Sequence, residues 1–357
     1  MWPNTNITRM LKIRLPIIQA PMAGNVTSAE LIANVSNAGG LGSLGAGYMS
    51  PENIRESIHR IRSLTDRPFA VNLFVPNKPH VTAKQITSMT RILKKTCKTL
   101  SKDIHPVKPP YTYAFADQLQ IVLDEKIPVF SFTFGIPDDT WIKELKRRKI
   151  RLIGTATTVS EACLLQQKGI DLIVAQGMEA GGHRGSFLET EENSLIGLFA
   201  LLPQIADKVN IPVIAAGGIM DARGIIAAMI LGASAVQLGT AFITCPEASA
   251  HPGYKKALLN SHDSDTTLTR AYSGKLARGL KTRFIEDMRR YQQLILDYPV
   301  QHALTRSIRT AAARNNRINY MSLWSGQAAS LCRVMHADKL IRTLDREVRK
   351  LIKHIPA

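Results

Sequence analysis

Between Ile17 and Leu238, short apolar runs rich in β-branched residues alternate with helix-length amphipathic stretches, and no two runs lie close enough to pair through a hairpin. Parallel strands read this way because crossover helices bury both faces of the sheet. The runs are Ile17–Ala20, Leu41–Leu44, Phe69–Leu73, Val129–Phe132, Arg151–Gly154, Asp171–Ala175, Pro212–Ala215 and Ala235–Leu238. Helical patterns fall at Ser28–Ala38, Pro51–Ile61, Asp138–Arg148, Val159–Lys168, Leu195–Ala206 and Asp221–Leu231. Eight such units favour closure into a TIM (β/α)8 barrel. Residues 1–247 are read as this barrel. Beyond it the alternation stops and the pattern is helical. Residues 248–320 are expected to form a helical cap over the barrel mouth, and 321–357 a C-terminal segment packing back on the barrel. An insertion of about fifty residues follows the third strand, and no motif gives its 81–113 stretch a role.

Barrels of this kind carry their chemistry at the carboxyl ends of the strands. The sixth strand runs into Gln176-Gly177-Met178-Glu179-Ala180-Gly181-Gly182-His183-Arg184-Gly185, where four glycines in ten positions allow close backbone approach to a ligand. His183 is the side chain suited to proton chemistry near neutral pH. Ala215-Ala216-Gly217-Gly218 ends the seventh strand and Gln237-Leu238-Gly239-Thr240 the eighth. Backbone amides there, with the helix starting near Asp221, can hold a phosphate. A further match, Gly40-Leu41-Gly42-Ser43-Leu44-Gly45, fits the dinucleotide pattern G-x-G-x-x-G. It follows a helix instead of opening one, so it reads as a helix stop and strand start, not a nucleotide site.

Composition excludes several other classes. No apolar run approaches the ~20 residues of a membrane span. Met1–Arg14 lacks a signal core. Cys97, Cys163, Cys245 and Cys332 are far apart, as reduced thiols in a cytoplasmic protein would be, and no metal site is expected. The formal charge of +18 is concentrated late: residues 253–357 hold 20 Lys and Arg against 8 Asp and Glu. These basic residues sit at helical spacing among apolar ones, as in Leu340-Ile341-Arg342-Thr343-Leu344. That suits a solvated helix face better than a nucleic-acid surface, and part of the field could draw in an anionic substrate.

Taken together, Gln19-Ala20-Pro21-Met22, Asn72, Gln176 with Glu179-Ala180-Gly181-Gly182-His183, Ala215–Gly218 and Gln237–Thr240 resemble the nitronate monooxygenase family, formerly called 2-nitropropane dioxygenase. Thr269-Arg270-Ala271-Tyr272, Ala277-Arg278-Gly279-Leu280 and Ser322-Leu323-Trp324-Ser325-Gly326-Gln327 extend the resemblance and point to its class I branch. It implies an FMN-dependent barrel that oxidises small anionic alkyl nitronates, such as propionate 3-nitronate, with O2 to a carbonyl compound and nitrite, a detoxifying role. It places Ala20, Pro21 and Met22 beside the flavin ring, with Asn72 and Gln176 hydrogen-bonded to the cofactor. Gly181, Gly218 and Gln237, Leu238, Gly239 and Thr240 would hold the phosphate. His183 would face the substrate, either taking a proton from a neutral nitroalkane or, protonated, stabilising a nitronate. Tyr254, Tyr272, Arg278 and Arg306 are lid or anion-binding candidates, with ordinary packing the plainer reading of each. Ser325 stands where the family motif commonly has Ala. The resemblance leaves open a flavin-dependent enoyl-acyl-carrier-protein reductase or an NAD(P)H:quinone reductase. A non-catalytic basic binding protein would instead be colourless. The chain could form a homodimer, although nothing in its residues sets the assembly.

Overall fold

The computed structural model describes residues 2–98, 100 and 104–354, so residues 99 and 101–103 of the insertion and the last three of the C-terminal segment lie outside the described residues. The barrel strands are β1 (Ile17–Gln19), β2 (Gly42–Gly45), β3 (Phe69–Phe74), β4 (Val129–Thr133), β5 (Arg151–Ala156) and β6 (Leu172–Gln176). After the two-residue strand β7 (Gly182–His183) come the last two, β8 (Val213–Ala216) and β9 (Ala235–Leu238). They run in the order β1-β9-β8-β6-β5-β4-β3-β2, every barrel neighbour parallel. A parallel bridge between Ile18 and Leu41 joins the two ends, with Gln19 N donating to Leu41 O at 2.9 Å. The sheet therefore closes as the expected (β/α)8 barrel.

The sequence enforces this wrapping locally. Ser50 accepts from Asn53 N before the helix Pro51–Arg62, and Thr158 accepts from Glu161 N before Val159–Gln167, so each helix starts at a side-chain cap. Gly39, at φ +100°, ends the helix Ala29–Asn37, and a Cβ on Gly42 would stand 2.7 Å from Ile32 Cγ2. The early glycine triplet thus serves a helix stop and close helix–strand packing. Inside the barrel, Ile18, Leu41, Ala70, Val129, Ile153, Leu172, Ile214 and Ala235 form a dry core, plugged from the amino-terminal side by Ile7 and Leu11. Only the carboxyl ends of the strands are left to hold a ligand. No helix among the described residues is long and apolar enough to cross a membrane.

Two features differ from the sequence expectation. The region after the barrel is not wholly helical: β10 (Thr266–Thr269) and β11 (Ala277–Leu280) pair antiparallel, and β11 also pairs with β7. At four residues each, these strands are too short for a period to show. The insertion also joins the cap: Ile86, Met89 and Leu93 of the helix Ala83–Thr96 pack on Phe284, Ile285, Met288, Leu304 and Ile308. Burying such side chains contributes roughly 1.5–3 kcal/mol each. The last helix, Ala337–Ile352, sets Leu340, Ile341, Leu344 and Val348 into the main barrel core.

Candidate active site

A cavity opens at the carboxyl ends of the strands. Ala20, Pro21 and Met22 line it after β1, Asn72 from β3, Gln176 from β6, Gly217 and Gly218 after β8, and Gln237, Gly239 and Thr240 around the end of β9. Gly181 and His183 enter from the loop after β6. Of the twelve expected site residues only Leu238 is absent from the lining. Its side chain is in the core, and its carbonyl accepts from Ala20 N at 2.8 Å. The alternation of a strand forces this, since Gln237 faces inward.

The histidine loop is fastened from several sides. Gln176 Nε2 donates to His183 O at 3.0 Å and its Oε1 accepts from Gly185 N at 2.8 Å, so this side chain ties the loop back to its own strand. Arg184 is fully buried and donates to the carbonyls of Gly177, Gln176 and Ser194. Burial pulls its pKa down to about 10, with Glu161 and Glu179 opposing that shift. Glu161 in turn accepts from Phe187 N at 2.6 Å and Thr157 N at 2.6 Å. From the cap, Ala277 of β11 lies opposite His183 and Arg278 opposite Gly182. Arg278 Nε donates to Met178 O at 3.0 Å, which makes it a fastener of the loop, not an anion site. The Ser322–Gln327 motif completes the clamp. Gly326 N donates to Thr240 Oγ1 at 3.0 Å, Gln327 N donates to Glu179 O at 3.0 Å, and a Cβ on Gly181 would stand 2.5 Å from Gly326 N. Sequence reading had no signal for the roles of Arg184, Glu161 or Ser273.

His183 Nε2 lies 2.8 Å from Ser273 Oγ. That hydroxyl has one proton and donates it to Lys275 O at 3.0 Å. It therefore accepts from Nε2–H, which assigns the proton to Nε2 and leaves the lone pair on Nδ1. The rings of Phe134, Tyr298 and Trp324 surround the imidazole, with centroids 5.8, 6.3 and 5.2 Å away. The residue is half-buried, and its aromatic neighbours desolvate the ring where it meets the cavity. That desolvation, helped by the charges of Lys275 and Arg309, pulls its pKa down to about 3. The neutral ring keeps a lone pair free, but the imidazolium that proton acceptance forms is opposed by burial and two cations, so negative charge arising on the substrate beside it has to offset them.

Of the other candidates, Tyr272 is buried and donates to Met321 O at 2.6 Å, so it packs the cap. Tyr254, hydrogen-bonded to Trp324 O, lines the cavity. Arg306 lies outside it, in a second chamber.

The nitronate monooxygenase family model matches residues 4–347. The probable nitronate monooxygenase of Staphylococcus haemolyticus (strain JCSC1435) is 47% identical, covering 99% of each chain. That of Staphylococcus aureus (strain MSSA476) is 44% identical, covering 99% of this chain and 100% of its own. This chain belongs to the nitronate monooxygenase family. It is accordingly an oxidoreductase, flavin-dependent as the family is. Among solved structures, nitroalkane oxidase from Streptomyces ansochromogenes superposes with a TM-score of 0.91 at 37% identity, over 98% of this chain and 99% of that one. FabK from Thermotoga maritima gives 0.78 at 31%, over 99% and 98%.

The residues of this family member fit a flavin. Among the described residues the cavity lining contains no Asp, Glu, Lys or Arg; it is glycine, amide, hydroxyl, aliphatic and aromatic, suited to a flat neutral ring system. Gly217 and Gly218, at φ +121° and +69°, turn their backbone as only glycine does readily. A Cβ on Gly239 would meet only the Ala20 methyl at 3.6 Å, and one on Gly182 nothing within 4 Å, so the glycines leave a cradle open. The helix Ala222–Ile230 contributes less than its position suggested. Asp221 already accepts from Arg223 N and Gly224 N at its start, placing a carboxylate where an anion would go.

Proposed function

We propose that the protein binds FMN and oxidises small alkyl nitronates, propionate 3-nitronate among them, with O2 to a carbonyl compound and nitrite. The observation that carries this reading is an imidazole, held through Nε2 by Ser273 Oγ at 2.8 Å, on a glycine-rich cavity at the carboxyl ends of the barrel strands. Three turns support phosphate and flavin binding: Gly181, Gly217-Gly218 and Gly239-Thr240 converge on that cavity. Asn72, whose Nδ2 donates to Ser131 Oγ at 2.9 Å, and Gln237 add polar groups along the wall. When bound, the flavin supplies the electron-accepting chemistry.

The protein's own part is to orient the substrate, exclude water and move one proton. Where the substrate arrives as the neutral nitroalkane, His183 Nδ1 accepts the proton from its carbon; a preformed nitronate needs no such step, and in both cases Ser273 and the Gln176 bond to the His183 carbonyl fix the ring. The cations that hold the imidazole neutral, Lys275 and Arg309, favour the negative charge that develops on the nitro group. The ring cluster of Phe134, Tyr298 and Trp324 lowers the local dielectric and strengthens that effect.

Anaerobic mixing of purified yellow protein with propionate 3-nitronate tests the reading. The flavin spectrum should change on mixing, and nitrite should appear once oxygen is admitted. The likeness to FabK favours one rival, an NAD(P)H-dependent enoyl reductase. Rapid anaerobic bleaching by NADH or NADPH, with no response to the nitronate, would replace our proposal with that one.

A further inference from the structure

His183 faces two spaces. One is the cavity; the other is an outer chamber, built from cap elements, that shares Tyr48, His183, Tyr254 and Trp324 with it. Lys275 lines neither space. It belongs to the turn of residues 270–276 that joins β10 to β11 and carries Ser273 to the imidazole.

That turn is fixed from three directions. Arg270 O closes it, accepting from Ser273 N at 3.2 Å and Gly274 N at 2.8 Å. Gly274, at φ +85°, lies so close to Leu296 O that a Cβ would overlap it. Glu191, from the loop after β7, accepts from Leu276 N at 3.0 Å and pairs with Lys275 Nζ at 3.3 Å and Arg270 Nη2 at 2.8 Å. The Lys275 and Glu191 side chains are 12% and 14% exposed, so water and salt screen this pair far less than an exposed one. Lys275 Nζ also donates to Ser186 O at 3.1 Å and stands 4.9 Å from the centre of the Phe134 ring, which meets the imidazole edge-on. These anchors hold the ammonium close to His183 but short of the cavity.

We infer that Lys275, held in place by Glu191, is a positioning residue for His183: its backbone fixes the hydroxyl that holds the ring, and its ammonium opposes positive charge on the ring without touching the substrate. The inference rests on the proposed activity in one respect, that His183 faces the substrate. Its first part lies in the hydrogen bonds. Lys275 O accepts from Ser273 Oγ at 3.0 Å and Lys275 N donates to the same oxygen at 3.3 Å, so the hydroxyl is oriented before it meets Nε2. Its second part follows from position. The ionisable groups about the imidazole are Lys275 from this turn, Tyr298, His302 and Arg309 from the cap, and Tyr48 and Tyr254 on the shared walls. After burial, Lys275 and then Arg309 lower the ring's proton affinity. Glu191 divides its charge between Lys275 and Arg270, so it anchors the ammonium without cancelling it.

Nitrogen NMR of labelled histidines in the purified yellow protein, at about pH 4.5 and without substrate, tests this. Lys275→Met should raise the ratio of protonated to neutral His183 roughly tenfold, as removal of one near cation does. Lys275→Arg keeps the charge and should return the ratio to within about twofold of the parent. Glu191→Gln keeps an acceptor for Leu276 N but leaves the Lys275 charge unopposed, so it should lower the ratio roughly threefold. That variant keeps the test alive if Lys275→Met fails to fold. A latch that acts by packing alone predicts otherwise: loosening it from either end admits water, and both Lys275→Met and Glu191→Gln would raise the ratio alike. Such a parallel rise, or an unchanged ratio in Lys275→Met, would overturn the inference while leaving nitronate oxidation standing. Nitrite release from propionate 3-nitronate by the parent protein is read separately. Its absence would remove the proposed activity, and with it the reaction Lys275 serves, whatever the titration shows.

Discussion

The cavity proposed to hold the flavin and the outer chamber meet at His183, but their walls differ in origin and charge. Barrel strand ends build most of the cavity from glycine, amide and hydroxyl groups, without a Lys, Arg, Asp or Glu among the described residues. Cap elements build the chamber, with aromatic rings and four cations. Closing an eight-stranded barrel constrains the first, because each strand end is fixed by its neighbours' register. Cap packing constrains the second, which leaves its lining freer to differ in charge and shape. Variants at His183, where the two meet, should tell their roles apart.

His183 is that meeting point, and its replacement should have the largest effect. His183→Asn is expected to lower kcat/KM for neutral nitroalkanes by roughly 10²–10⁴-fold, the usual worth of a positioned general base. Loss on preformed nitronates should be smaller. Flavin content, read from visible absorbance, should stay near normal, because the glycine turns and not the imidazole form the cradle. A colourless variant would make His183 part of the cofactor site and erase the distinction. The same variant reports on acid stability. The pKa of His183 falls from the usual 6.5 to about 3 on folding, so below 6.5 the unfolded chain takes up a proton that the folded one does not. This contribution to stability is complete above pH 6.5 and is lost progressively as pH falls toward 3. His302, whose proton affinity is lowered by burial and by Arg309, adds in the same direction. The melting temperature of His183→Asn should therefore decline less steeply over that range.

The same division governed how much could be read from residues alone. Val129–Phe132 and Ala235–Leu238 coincide with β4 and β9 almost residue for residue, because a strand buried on both faces leaves an unbroken apolar run. The glycine turns were legible for the same reason, lying where such runs stop. The cap was not. Thr266–Thr269 and Ala277–Leu280 pair with each other, and Gly182–His183 pairs with the latter across more than ninety residues, a contact with no local period. Arg278 was a lid or anion-binding candidate with packing the plainer reading, and it is a loop fastener, since a sequence cannot show that Met178 O lies within its reach. Ser273 carried no motif, and its importance appears only when its single proton is traced through two hydrogen bonds.

That tracing gives the next prediction, which sharpens the boundary within the site. Ser273→Ala removes the acceptor that holds the proton on His183 Nε2 while leaving barrel and cradle alone. A hydrogen bond of this kind is worth about 1 kcal/mol, so turnover of neutral nitroalkanes should fall roughly fivefold. Nitrogen NMR of labelled imidazoles, assigned by difference against His183→Asn, should show bare Nδ1 in the parent protein and a mixture of tautomers in the variant. Protonated Nδ1 in the parent would reverse the assignment and move the base to the other nitrogen.

The smallest effect is expected at Ser325, where the chain departs from the usual Ala of its motif. The side chain is fully buried, and its hydroxyl donates only to the adjacent Gly326 O at 3.1 Å. The backbone does the work at this position. Ser325 N donates to Arg278 O at 3.2 Å, and a Cβ on Gly181 would stand 2.6 Å from Ser325 C. Ser325→Ala keeps all of that and removes one local bond at a fully buried position, so stability should change by less than about 1 kcal/mol and turnover by less than about twofold. Gly326, one residue on, sets the contrast: a Cβ there would lie 2.9 Å from Glu179 O, in the clamp itself. Thermal melting and nitrite release for Ser325→Ala decide the matter. A tenfold loss of turnover would mean that the hydroxyl acts on the cavity, so that the cap reaches the cofactor side of His183 as well as the substrate side.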